Sequence, residues 1–110
     1  MIMSLLALLA AVSQVTVGGS PLKPADYVDG RAIADGSGAP VVMLTLTPEA
    51  AKRVRAAGPD PQVKLDGRTV VARMNGDAIE ISGAVTSVNG ANGLARAITG
   101  RAPLPDALEE

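Results

Sequence analysis

The sequence contains no cysteine and no histidine. Without cysteine, the chain can form neither a disulfide nor a thiolate metal site. Without histidine, it lacks the most common general base and every Ser–His or Cys–His nucleophile. We therefore predict that the protein is not an enzyme, and that it has no catalytic residue, no metal site and no bound cofactor.

Large aromatic side chains are almost absent, because the chain has no Phe, no Trp and a single Tyr, Tyr27. The core must be filled by Val, Leu, Ile, Met and Ala. The formal charge of −1 gives no basic surface, whereas nucleic-acid-binding proteins combine basic patches with stacking aromatics. We exclude nucleic acid as a partner and interpret Lys52, Arg53 and Arg55 as the solvated face of a helix.

Charge is also missing from the first part of the chain, where no charged residue precedes Lys23. The apolar run at residues 5–12 suits a signal peptide and is far shorter than the roughly 20 residues that span a bilayer. We predict a signal peptide over residues 1–13, with Gly19 as a second cleavage position, and a periplasmic or secreted protein. An uncleaved membrane anchor and a buried first segment of the fold are the alternatives, because no Lys or Arg precedes the apolar run.

Two strands and a helix are predicted in the next part of the chain, after a Pro-rich lead-in. Residues 31–34 and 40–46 are strand-like, and Asp35-Gly36 and Gly38 supply turn residues between them. Thr47 is a typical N-cap, Pro48 suits the first helical position, and Glu49 faces the positive end of the helix dipole. The face expected to be buried comprises Ala50, Ala51, Val54 and Ala57.

Three further strands and a second helix follow. Residues 62–66, 68–73 and 78–82 alternate in polarity and are separated by Asp66-Gly67 and Asn75-Gly76, which predict tight turns. Alternation places Ile79 and Ile81 on one face and Glu80 on the other. Residues 87–99 predict a helix that ends at Gly100, with an apolar stripe formed by Val88, Ala91, Leu94, Ala95 and Ile98.

Three short patterns could carry chemistry, and we interpret each as structural. Ser20 and Lys23 match S-x-x-K, but the motifs that accompany it in serine enzymes are missing. The spacing of Asp26, Asp29 and Asp35 does not fit a calcium loop, so these are interpreted as turn residues. Gly36-Ser37-Gly38 lacks the third glycine and the helix of a phosphate-binding loop.

In this order, VVMLTLTPEAAKRV, VKLDGRTVVAR, IEISG and APLPDALEE resemble the head subdomain of the first periplasmic domain of SecD/SecDF, the protein-export membrane subunit. The resemblance runs from Pro40 to Leu108. We expect a stand-alone exported domain without the transmembrane bundle. The matching positions, to which we assign structural roles, are Thr47, Pro48, Glu49, Asp66, Gly67, Arg68, Ile81, Ser82, Gly83 and Gly100.

The resemblance implies an α+β fold in which a small, mostly antiparallel sheet carries two helices on one face. Together with the sequence patterns above, it divides the chain into a predicted signal peptide (1–13), a lead-in with a first strand (14–39) and, from the resemblance itself, the SecD-like domain (40–108). It also implies a cell-envelope module that binds protein or polypeptide at a sheet edge or an apolar groove, with the export machinery as a candidate partner. The alternatives are a dedicated folded partner, a small ligand, or a hydrolase that uses carboxylates.

Overall fold

A curled antiparallel sheet of seven strands carries two helices on one face in the computed structural model, which describes residues 13–58 and 61–104. The strand order is β2-β1-β5-β6-β7-β4-β3. The strands are β1 (Val15–Val17), β2 (Ser20–Pro21), β3 (Tyr27–Ala34), β4 (Pro40–Leu46), β5 (Val63–Leu65), β6 (Arg68–Asn75) and β7 (Ala78–Ser82). The helices are α1 (Pro48–Ala56) and α2 (Val88–Thr99). The predicted fold class is confirmed; most of the predicted signal peptide lies outside the described residues.

The predicted lead-in is part of the sheet. β1 pairs with β5, and Val15 and Val17 are both buried in the same apolar core as the rest of the domain. Ser20 lies in β2, and Lys23 precedes a short 3₁₀ helix, Pro24–Asp26. The S-x-x-K chemistry requires the serine and the lysine to lie one turn apart on a helix. Ser20 and Lys23 do not have this arrangement.

The first hairpin joins β3 to β4 through a turn that is held by one carboxylate. Oδ1 of Asp35 accepts hydrogen bonds from the amide of Ser37 at 2.8 Å, the hydroxyl of Ser37 at 2.7 Å and the amide of Ala39 at 3.0 Å. These bonds lower the pKa of Asp35, and the bond from the Ser37 hydroxyl has the largest effect. The predicted turn is confirmed, and β3 begins four residues earlier than the sequence pattern indicated.

Helix α1 begins where the sequence predicts. The Thr47 hydroxyl accepts a hydrogen bond from the Ala50 amide at 3.2 Å, and Pro48 occupies the first turn. Ala50, Ala51 and Val54 are buried, while the basic cluster Lys52, Arg53 and Arg55 is exposed, as expected. Ala57 was expected on the buried face and is exposed, because the helix has already ended at Ala56.

Helix α2 forms over its whole predicted length despite its two internal glycines. The Ser87 hydroxyl caps the first turn by accepting from the Gly90 amide at 2.9 Å, and Gly100 ends the helix with φ of 77°. Ala91, Ala95 and Ile98 are buried as predicted. Val88 is 51% exposed, so the buried apolar stripe of the helix begins at Ala91, one turn later than expected.

The packing of α2 against β3 depends on Gly30. A Cβ at this position would lie 2.7 Å from Cγ2 of Thr99 and 3.2 Å from a methyl group of Leu44. Thr99 and Leu44 are both almost fully buried. The helix can therefore approach the strand this closely only because position 30 has no side chain.

Gly30→Ala should destabilise the domain by about 1–3 kcal/mol, because the new methyl group overpacks a buried contact. Thr99→Ser removes Cγ2 and keeps the hydroxyl, so the double variant should recover part of the loss. Urea unfolding of both variants measures this. If Gly30→Ala were as stable as the parent, the close approach would not limit the packing.

The two turns of the β5–β6–β7 segment need glycine for a different reason. Gly67 has φ of 87° and Gly76 has φ of 64°, a region that disfavours β-branched residues. The space that a Cβ would occupy at either position is open, with no atom within 4 Å. Gly67→Val and Gly76→Val should each cost about 1–2 kcal/mol through backbone strain. Thermal melts should show a lowered midpoint in both.

Gly36→Val is the matched control, because Gly36 also has open space around it and does not have a positive φ. Its melting temperature should change much less. Equal melting temperatures for all three variants would contradict the assignment of Gly67 and Gly76 as conformational requirements of the turns.

Candidate functional site

The residues predicted from the family motifs lie in separate turns and caps. Thr47, Pro48 and Glu49 begin α1, Ile81 is in the core, Ser82 and Gly83 end β7, and Gly100 ends α2. Asp66, with φ of 51°, and Gly67 form the turn that leads to Arg68. Oδ1 of Asp66 accepts from the Gln14 amide at 2.7 Å. The fold does not bring these residues together in one site, and their structural roles remain a prediction.

The three aspartates of the first part of the chain are also separate. Asp26 pairs with Arg53 at 2.7 Å and accepts from the Lys23 amide at 2.9 Å. Asp29 pairs with Arg31 at 2.7 Å, and Asp35 holds its turn. Within residues 13–58 and 61–104, no three acidic side chains are grouped closely enough to hold a metal ion.

Strand β6 has backbone hydrogen-bonding groups that no described residue uses. Its first three residues pair with β5, where Val63 lies opposite Val70. Its last five residues, 71–75, pair with β7 on the other side. β5 begins only at Val63, and Pro61, two residues earlier, has no N–H to donate. The second half of β6 is therefore paired on one side only by the described residues.

The register shows which backbone groups of β6 point away from the sheet. The amide of Leu46 donates to the carbonyl of Asp77, just before β7, at 2.8 Å. The bonds from β7 to β4 therefore come from residues 79 and 81. The intervening residues of β7 bond to Asn75, Arg73 and Val71, as the alternation of an antiparallel ladder requires. The N–H and C=O groups of Ala72 and Met74 consequently face outward, and no described residue bonds to them.

An apolar groove runs beside this edge, on the same face of the sheet as the helices. The side chains of Ala72 and Met74 are half-buried against the core. They line a cavity of about 180 Å³. We call this cavity the β6 groove; its lining residues are Val54, Pro61, Val63, Ala72, Arg73, Met74 and Ile79.

The opposite face of β6 carries a charged network. Glu80 of β7 is only 7% exposed and accepts from Nε of Arg73 at 3.1 Å and from the Asn75 amide group at 2.9 Å. The hydrogen bond from Asn75 is the main reason that the pKa of Glu80 is lowered, and Arg73 adds to it against the opposing effect of burial. The Arg73 side chain remains 77% exposed.

The two outer edges of the sheet carry obstacles to an added strand. On β3, the Ala32 amide donates to Oδ1 of Asn92 at 3.0 Å, and the Leu104 amide donates to Oδ1 of Asp29 at 2.7 Å. Arg101 donates to the carbonyl of Tyr27 across the same edge. The edge strand β2 has two residues, and one of them is Pro21. Within the described part of the chain, β6 is thus the strand that offers a row of unpaired backbone groups without such protection.

Two solved structures resemble this fold. One is a crystal structure of SecDF in its super-membrane-facing form, with a TM-score of 0.58 and 34% sequence identity over 74% of this chain. The other is described as SecDF, a membrane component that enhances protein export, with a TM-score of 0.56 and 35% identity over the same share. The chain is SecDF-like in fold and in sequence. The resemblance predicted from its motifs is confirmed.

The similarity to SecDF covers less than half of each matched chain. This chain spans 12% of the first matched chain and 41% of the second. No protein-family model and no curated protein matches the sequence. Among the residues that the structure describes, no helix is long and apolar enough to cross a membrane.

The lowered carboxylate pKa values set the pH dependence of stability. Burial raises the pKa of Asp26, but hydrogen bonds from Lys23 and Arg53 outweigh it, so Asp26 and Glu80 both titrate below their ordinary values of 3.8 and 4.5. The contribution of these two carboxylates to stability is fully present above their ordinary, unfolded-state pKa values. It is lost as the pH falls through their lower folded-state pKa values. Because the chain has no histidine, the free energy of unfolding should be nearly constant from about pH 5.5 to about pH 8.

Urea unfolding across this range and down to about pH 3 measures the free energy of unfolding and so tests the prediction. The free energy of unfolding should fall below about pH 4.5, and Glu80→Gln should reduce the size of that fall. A step in stability between about pH 6 and pH 7 would be inconsistent with this assignment.

Proposed function

We propose that this protein is a non-enzymatic module of the cell envelope that binds extended polypeptide segments at the β6 edge, in connection with protein export. The observation that carries the proposal is the pair of outward-facing backbone groups at Ala72 and Met74, directly beside the apolar β6 groove. An extended segment that adds to this edge gains backbone hydrogen bonds, and its alternate side chains reach the groove.

This mode of binding suits a chain with so little side-chain chemistry. Backbone groups are common to all polypeptides, so pairing at an edge tolerates many sequences. The second half of β6 contains no proline, and its inward side chains, Ala72 and Met74, are uncharged. Natural proteins normally block an exposed edge with one of these features, as β2 does here with Pro21. Their absence from β6 supports a role in binding.

The link to export comes from the similarity to SecDF. The matched structure is of a membrane component that enhances protein export, and a factor with that role must meet polypeptides before they fold. Such chains present extended apolar segments of the kind that the β6 edge accepts. The predicted signal peptide and the resemblance to a periplasmic domain favour a periplasmic location. Association with the export machinery itself is part of the proposal.

The alternative functions receive less support from the groove. Its volume of about 180 Å³ is below the roughly 300–1,000 Å³ of most small-molecule sites. Among the residues that the structure describes, its lining contains no carboxylate, whereas hydrolysis by paired acids requires two of them across a cleft. A dedicated folded partner could use the same edge and would be bound by the same backbone groups.

Ala72→Pro tests the proposal, because it removes the outward N–H without deleting a bond of the β6–β7 ladder. Binding of a fluorescein-labelled peptide with alternating Val and Ser should weaken about tenfold or more in fluorescence anisotropy. In the parent protein, the peptide should also slow hydrogen exchange of the Ala72 and Met74 amides.

Ala72→Ser is the matched control, since it keeps the N–H and adds only a small hydroxyl group. It should bind the peptide within a few-fold of the parent protein, and both variants should melt cooperatively. Unchanged binding by a folded Ala72→Pro variant would exclude pairing at this edge.

A further inference from the structure

Arg73 lies between the two outward-facing residues of the β6 edge and on the other face of the strand. Its register partner is Glu80, so β6 and β7 place a positive and a negative charge side by side across the sheet. The guanidinium donates to Glu80 through Nε, and none of its bonds within the described residues reaches the outer side of the strand. Arg73 can therefore accept a second acidic neighbour from a strand added at the edge.

The geometry of an added strand determines which of its residues meets Arg73. Residues that bond to Ala72 and Met74 direct their side chains into the β6 groove, because alternate residues of a strand face opposite ways. The residue between them lies opposite Arg73 as a pair without mutual backbone hydrogen bonds. In antiparallel sheets this kind of pair has the closest side chains.

We infer, on the basis of the proposed function, that the β6 edge prefers extended segments that carry an acidic residue between two apolar residues. The apolar residues enter the groove beside Val54, Val63 and Ile79. The acidic residue extends the row formed by Arg73 and Glu80 into an alternating series of charges. Opposite charges across neighbouring strands stabilise the pair, and like charges destabilise it.

The same geometry argues against a second copy of this chain as the occupant. Two antiparallel β6 strands that exchange bonds between Ala72 and Met74 would place each Arg73 directly opposite the other. Like charges in this position repel each other at the closest side-chain separation in the sheet. A peptide with a central acidic residue removes that repulsion and adds an attraction.

Three peptides that differ only at the central residue of an apolar–X–apolar segment test the inference, with Glu, Gln or Lys at X. Fluorescence anisotropy at low salt should give about fivefold tighter binding for the Glu peptide than for the Lys peptide, and the Gln peptide should lie between them. The ratio should shrink as salt is added, because Arg73 is exposed to solvent and exposed charges are screened by salt.

Two variants assign the preference to Arg73. Arg73→Gln should bring the Glu to Lys ratio close to one, and Arg73→Glu should reverse it. Arg96→Gln is the matched control: Arg96 is an exposed cation on α2, which packs on β3 and β4 at the opposite end of the sheet. This control should keep the ratio of the parent protein. A ratio that Arg96→Gln changes as much as Arg73→Gln would overturn the assignment.

The outcomes distinguish the two proposals. Equal binding of all three peptides, with protection of the Ala72 and Met74 amides, would overturn the charge preference and leave edge pairing intact. Absence of binding by every peptide would overturn both. A stable dimer in sedimentation that protects the same amides without peptide would identify a second copy as the occupant and would also overturn the inference.

Discussion

The fold depends on how closely α2 can approach β3. With no Phe or Trp in the chain, Tyr27 is the single aromatic residue of the core, and few large side chains are available to fill a wide gap between helix and sheet. The gap is closed by small residues: Gly30 on the strand, and Ala91 and Ala95 on the helix. Leu44 and Thr99 then occupy the space that a side chain at position 30 would need. A close helix therefore replaces aromatic bulk as the source of core packing density.

β6 joins the two sides of the curled sheet because it is much longer than β5. β5 has three residues and β6 has eight, so one strand must serve two neighbours in succession. The first part of β6 completes the side of the sheet that contains β1 and β5, and its second part completes the side that contains β7, β4 and β3. The unpaired backbone at Ala72 and Met74 is a direct consequence of this division, as is the groove between β6 and α1.

Much of the fold could be predicted because its local signals are strong. Asp66-Gly67, Thr47-Pro48 and Gly100 each fix a turn or a helix end through their own backbone preferences. The pairing of Val15–Val17 with β5 was missed, because a three-residue strand next to an apolar leader has no distinct pattern. The edge at Ala72 and Met74 was also missed. The proline at position 61 and the long alternating run after Gly67 were the signals that β5 would be too short to cover it.

The shortage of reactive side chains is consistent with recognition through an open strand edge. Recognition through a backbone edge needs no histidine, cysteine or aromatic platform; it needs a strand that is held rigidly on one side and left unpaired on the other. β7 holds β6 through its ladder, and Glu80 fixes Arg73 and Asn75 on the outer face. The competing edge at β3 is covered by Asn92 and Leu104. Under the proposed function, this arrangement would direct an added strand to β6, where Arg73 would favour segments that carry an acidic residue.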